Sequence, residues 1–186
     1  FSSFGKLDFY FNKSSDSVVV RPLNHTFNDS DVILDYSRNR DTLTYWFRNI
    51  EKDSLFLQLS NGYKVLDTIG LKLTKKEETL ANKRNPLKFR MISSPDKNIN
   101  FDPGNFLNLI FYTPISNYNH TVNLKEDSLL FKKPLSFCKF DTCGITLCKG
   151  DSSSSPKVPF NEWKPNANYH LFIPPGTFTD FFGLTN

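Results

Sequence analysis

The sequence predicts an all-β chain built as two tandem antiparallel β-sandwich domains, and three observations carry that expectation. Aromatic residues make up 15% of the chain, with 19 Phe and 7 Tyr, while Ala occurs only at positions 81 and 167 and Met only at 91. The best helix formers are therefore scarce, and residues that suit a pleated, half-buried surface are abundant. Apolar residues recur at every second position along most of the chain, the period of a strand with one covered face. A short pattern also returns: Leu7, Phe9 and Phe11 are matched, one hundred positions on, by Leu107, Leu109 and Phe111.

The elements follow in order. Leu7, Phe9 and Phe11 alternate with Lys6, Asp8, Tyr10 and Asn12. Leu43, Tyr45 and Phe47 alternate with Thr44, Trp46 and Arg48. Leu55, Leu57 and Leu59 come next, then Tyr63, Val65, Ile69, Leu71 and Leu73 with mostly polar residues between them. Turn chemistry separates these runs at Asn28-Asp29-Ser30-Asp31, at Asn39-Arg40-Asp41 and at Asn61-Gly62, the last a strong hairpin signal. Every such strand must bury one face, and two sheets packed face to face satisfy them all.

This first domain is expected over residues 1–75. The polar, charged run that follows (KKEETLANKRNP) breaks the alternation, and Asn85-Pro86 ends any helical turn in it, because the residue before proline is pushed out of the α region. It reads as a linker over 76–86. The second domain, 87–186, opens with Leu87–Met91 and continues through an irregular stretch, 93–105, to the repeated Leu107, Leu109, Phe111 strand. Ser152–Ser155 reads as a hairpin tip. The end of the chain is the most patterned part: an alternating strand from Tyr169, a Pro174-Pro175-Gly176 turn, then Asp180 and Gly183 bracketing a tight corner.

Composition narrows the function classes. The 23 basic and 19 acidic residues are interleaved and leave a net charge of +4, so no nucleic-acid stripe is expected. No run approaches the ~20 apolar residues of a membrane helix, and a membrane is expected to be reached only through an anchor outside this chain. Cys138, Cys143 and Cys148 sit five apart, which is not metal spacing, and the odd count leaves at least one thiol outside any disulfide. Buried or half-buried strand cysteines are favoured over a disulfide.

Chemistry-bearing motifs are weak. No G-x-S-x-G is present and no His lies close to a Gly-framed nucleophile, so no catalytic residues are assigned. Asp29, Asp31, Asp35, Asp41, Asp67, Asp102 and Asp180 mostly sit in turn sequences, where side-chain bonds to backbone N–H groups shape the turn. Asp29, Asp31 and Asp102 offer oxygens to calcium, but no loop has EF-hand spacing, so no metal and no cofactor is assigned. Asp180, Gly183 and Tyr169 are read as structural: a carboxylate accepting N–H groups, a glycine at positive φ, and a tyrosine anchoring a corner. The binding candidates are Trp46, Arg48 and Trp163. Trp46 shares a face with Thr44 and Arg48, opposite Leu43, Tyr45 and Phe47, so its ring is either an exposed recognition surface or covered at the seam between the two domains, the seam being favoured. Trp163, just before the closing strand, is read as a lid on the core.

These residues carry a resemblance. FLNLIFYTPI at 106–115, with the W-x-P-N-x-x-Y and D-x-x-G ending, resembles the Ig-like domains of bacterial envelope proteins. RDTLTYWF at 40–47, EKDSLFLQL at 51–59 and YKVLDTIGLKL at 63–73 resemble the C-terminal part of Ig-like-domain lipoproteins of Bacteroidota. The resemblance implies an outer-membrane-associated lipoprotein facing the periplasm or the cell surface, with no catalytic residues to carry over. It also implies a further strand after Asn186, which the second domain as given lacks, and the Cys138–Cys148 segment departs from the pattern. The leading expectation is a non-catalytic envelope module, a spacer with a protein-docking surface whose partner is another envelope protein. The alternative is a carbohydrate-binding or adhesion module. It requires exposed, coplanar rings and falls if Trp46 and Trp163 are both buried.

Overall fold

A computed structural model of the chain describes residues 5–14, 17–73, 89–91, 104–151, 153 and 155–186. The expected linker at 76–86, most of the irregular stretch 93–105, and Ser152 and Ser154 lie outside the described residues. The structure is all-β, with several antiparallel sheets, one 3-10 turn and no α-helix among the described residues. It divides into two compact units, Phe1–Arg84 and Asn85–Asn186.

The first unit has six strands: β1 (Gly5–Tyr10), β2 (Val18–Pro22), β3 (Val32–Tyr36), β4 (Thr42–Phe47), β5 (Ser54–Asn61) and β6 (Lys64–Lys72), with a 3-10 turn at Asp29–Asp31. They form two three-stranded sheets of order β1-β4-β3 and β2-β5-β6. The alternation explains the packing. Phe9, Leu43, Tyr45 and Phe47 from the first sheet meet Val18, Val20, Leu55, Leu57, Leu59 and Leu71 from the second in one core cluster. Burying each of the larger side chains contributes about 1.5–3 kcal/mol. Burial also pushes the Tyr45 hydroxyl up to about 12, since the charged phenolate has no water there. Tyr36 ties the sheets together by donating its hydroxyl to the Val18 carbonyl at 2.6 Å.

The turns follow the sequence chemistry. β5 and β6 are joined through Gly62 and Tyr63, with Asn61 paired to Lys64 and Gly62 at φ +58°, the backbone a two-residue hairpin needs. Between β3 and β4 the Arg40 N–H bonds the Ser37 carbonyl at 2.9 Å, and the Asp41 carboxylate accepts the Ser37 hydroxyl at 2.7 Å. That hydrogen bond, helped by Thr42 and a backbone N–H, holds the Asp41 carboxyl below its ordinary value.

The second unit holds β7 (Phe89–Met91), β8 (Asn108–Phe111), β9 (Ile115–Tyr118), β10 (Asn123–Glu126), β11 (Leu129–Leu130), β12 (Leu135–Asp141), β13 (Gly144–Lys149), β14 (Val158–Pro159), β15 (Tyr169–Phe172) and β16 (Phe178–Asp180). Its sheets are β12-β13-β8-β7 with β14 also on β13, β11-β10-β15, and the pair β16-β9. All three feed one core that includes Leu109, Phe111, Leu124, Phe137, Ile145, Leu147, Phe160, Trp163 and Phe178. The pairing repeats that of the first unit: β1-β4-β3 recurs as β8-β13-β12, and β2-β5 as β10-β15. The Leu7 and Leu107 motifs thus lie on or beside strands that share one corresponding partner, β4 and β13, which their shared pattern alone could not specify.

The cysteines correct an expectation. Spacing alone favours unlinked strand cysteines, but Cys138 and Cys148 form a disulfide with Cα atoms 6.0 Å apart. The register supplies the reason. Cys138 faces Thr146 and Ser136 faces Cys148 across β12 and β13, so the two cysteines are diagonal neighbours on one face, within disulfide reach. Sequence spacing carries no register. Cys143, half-buried in the hairpin turn, is not part of this bond.

Candidate docking surface

Strands β10, β11 and β15 present an open, partly apolar surface. Alternation fixes their inner side: Leu124 is buried, and Tyr169 and Leu171 pack against the core. The next residues in each strand must then face outward. Lys125 pairs with both Leu130 and His170, and Asn123 pairs with Phe172, so these five side chains share one side of the sheet. They line a shallow cavity of about 810 Å³. Leu130 and Phe172 remain 72% and 64% exposed, large values for apolar side chains on one side of a short sheet.

The sheet is held from behind and at its tip. The β10–β11 turn has Asp127 at φ +47° and Ser128 at φ +72°, a strained turn for residues with Cβ atoms. Asn168 braces it: the Asp127 N–H bonds the Asn168 carbonyl and the Asn168 N–H bonds Asp127 Oδ1, both at 2.9 Å. Glu126 points to the inner side, where it accepts the Tyr169 hydroxyl at 3.3 Å and an ion pair from Lys164. The Glu126 hydrogen bond and charge raise the Lys164 ammonium above its ordinary value. Nearby, Glu162 bridges Lys133 at 2.6 Å and Lys149 at 2.8 Å, and those hydrogen bonds and charges bring its carboxyl down to about 2.

The sequence-predicted residues fall elsewhere. Trp46 is only 6% exposed; Lys6 and Ile33 flank it across the sheet, and the Lys6 ammonium lies 5.3 Å from its ring centre. Arg48 is turned to Asp31, with Nε 3.2 Å from Oδ1. Asn49 and Asn28 donate to the same carboxylate at 2.8 and 3.1 Å. Burial alone would raise the Asp31 carboxyl, but these three hydrogen bonds and the Arg48 charge outweigh it and hold it below the ordinary value. The Asp31 oxygens are therefore engaged by donors rather than open to calcium, and Asp102 lies outside the described residues. Trp163 belongs to the core at 7% exposure. It stacks edge-on with Phe160 and Tyr169 at 4.7 and 4.9 Å and donates its ring N–H to the Asn105 carbonyl at 2.8 Å.

Neither Trp ring is open to a ligand, which corrects their standing as binding candidates and removes the basis of the carbohydrate reading. Asp180 is buried and accepts the Phe182 and Leu184 N–H groups at 2.9 and 2.7 Å and the Thr113 hydroxyl at 3.0 Å, while Gly183 has φ +83°. Among the described residues no three His, Cys, Asp or Glu are grouped to hold a metal, and no helix is long and apolar enough to cross a membrane.

Sequence reasoning missed Leu130, Lys125, His170 and Phe172. A signal existed in the strand HLFI at 170–173, but three consecutive apolar residues hid which of them pointed outward. No protein-family model, curated protein or solved structure matches the chain.

Proposed function

We propose that the chain is a non-catalytic cell-envelope module: two tandem Ig-like sandwiches that serve as a spacer and protein-docking surface of an outer-membrane lipoprotein. The observation that carries the docking role is the outward side of β11-β10-β15, where Leu130 and Phe172 are exposed on the lining of one shallow cavity. Residues of this size left in water on one face favour a partner, because covering them recovers hydrophobic free energy.

Strand order supports the Ig-like reading. β7-β8-β13-β12 follows the A-B-E-D order of an immunoglobulin sheet, and β10-β15 follows C-F with β11 beside C. In the first unit β1-β4-β3 and β2-β5-β6 follow B-E-D and C-F-G. The Cys138–Cys148 bond supports a compartment outside the reducing cytoplasm, since such bonds persist where glutathione does not reduce them.

The test is crosslinking in cells with the full-length protein as bait, followed by affinity capture and mass spectrometry. A stoichiometric envelope partner should be captured by the wild type and by Tyr63→Asp, a control at a fully exposed position of the first unit. It should be lost with Phe172→Asp and Leu130→Asp. Capture that is indifferent to both of these substitutions would remove the docking role from this face.

A further inference from the structure

Charge distribution around the cavity narrows what can dock there. Its outward side offers three kinds of donor, the Lys125 ammonium, a His170 ring N–H and the Asn123 amide, and no carboxylate lines it. The acids next in sequence are occupied elsewhere: Glu126 by Lys164 and Tyr169, Asp127 by the Asn168 N–H. Several other lysines of this unit are engaged, Lys133 and Lys149 by Glu162, Lys139 by the Ile115 carbonyl and Lys157 by the Asp151 carbonyl. Lys125 has no ion pair among the described residues. It stands in a row between Leu130 and His170, with Phe172 two residues along β15 from His170.

We propose that this face takes an extended acidic segment of a partner protein, seating a carboxylate on Lys125 and His170 and an apolar side chain against Phe172. The proposal rests on the docking reading above and names the chemistry of its partner. Geometry favours an extended segment. Residues two apart in a strand are separated by about 6.7 Å, so His170 and Phe172 present a polar and an apolar position at the spacing of alternate side chains in an extended chain. A carboxylate gains a charge-assisted hydrogen bond here and meets no like charge on the cavity wall.

The experiment uses fluorescence anisotropy on the whole chain with three fluorescein-labelled peptides that repeat Glu-Ser-Leu-Ser, Gln-Ser-Leu-Ser or Lys-Ser-Leu-Ser, so that the polar residue and Leu lie two apart on one face of an extended chain. The Glu peptide should bind about tenfold tighter than the Gln peptide, and the Lys peptide should bind more weakly than either. Lys125→Glu should reverse the order of the charged peptides, and Phe172→Ser should weaken the Glu peptide by about tenfold. Both positions face outward, and far-UV circular dichroism checks that each variant is folded. Equal binding of the Glu and Gln peptides, or a Glu affinity unchanged by Lys125→Glu, overturns the proposal. So does Lys125-dependent sedimentation with phosphatidylglycerol-containing vesicles in the absence of peptide binding, which would assign the face to a lipid surface. If an envelope partner is lost on Phe172→Asp but kept on Lys125→Glu, docking stands and the acidic segment falls. If neither substitution affects capture, docking at this face falls as well.

Discussion

Single carboxylates hold the corners of this molecule. Asp31, at the end of the 3-10 turn, gathers Asn28, Asn49 and Arg48, so Asp31→Ala removes the acceptor that two amides and a half-buried guanidinium share. A loss of about 2–3 kcal/mol is expected in urea unfolding. Its pH dependence has a definite sign. The native carboxyl is depressed below 3.8, so its stabilisation is complete above that value and is lost as pH falls below it toward the native pKa. Wild-type stability should therefore drop more steeply with acid than that of Asp31→Asn, as urea midpoints measured between neutral pH and below 3.8 would show. Asp180 sets a comparable case in the second unit, where Asp180→Ala strands the Phe182 and Leu184 N–H groups and should cost about 2–3 kcal/mol. Gly183→Ala should cost less, about 1 kcal/mol, because a Cβ there meets no atom within 4 Å and only the positive φ is strained. Equal losses for the two would mean that the corner depends on backbone conformation rather than on the carboxylate.

At the scale of the element, the β12–β13 hairpin is the part of the chain most dependent on chemistry beyond packing. Phe137, Ile145 and Leu147 face the core, while Ser136, Cys138, Thr146 and Cys148 are also buried on the other side. The disulfide closes a loop between residues ten apart, which in the chain-entropy account contributes about 2–3 kcal/mol. Thiol titration of the unreduced protein in guanidinium should find Cys143 alone, and all three cysteines after reduction. Cys138→Ser with Cys148→Ser should lower the guanidinium midpoint by an amount matching reduction of the wild type. Three reactive thiols before reduction would show that the bond does not form, and would withdraw the compartment argument that leans on it. β10, β11 and β15 rely instead on bracing by the Asn168 backbone and by the Asp127, Glu126 and Tyr169 side chains, which leaves their outer side free of internal duties.

For the whole molecule, two closed cores are the governing fact. Among the described residues, most of the buried hydrophobic side chains of each unit gather in one cluster. Residues 1–84 and 85–186 should therefore each fold when produced separately, with dispersed amide spectra and a cooperative thermal transition. Domains of this size retain only about 0.05–0.15 kcal/mol per residue of net stability, so both transitions are expected at modest temperature. A fragment that stays unfolded alone would show that its core is insufficient without the rest of the chain. Fold and proposed function separate at this scale: the sheets are accounted for by their cores, and the proposed docking role rests on one outward face that the cores leave uncovered.

The sequence by itself determined the strand-rich class, the places where the chain turns and which residues alternate with which. Period-two patterning and turn chemistry are local, so Leu43, Tyr45 and Phe47, or Asn61-Gly62, announce themselves without knowledge of partners. Only the tertiary structure decided which strands pair and in what register, and the consequences run through every site described. Register made Cys138 and Cys148 neighbours, covered Trp46 with Lys6 at its side, drew Trp163 into the core and turned Phe172 outward beside Lys125. Alternation marks two faces of a strand but not whether the second will be covered, because that depends on contacts between residues far apart in the chain.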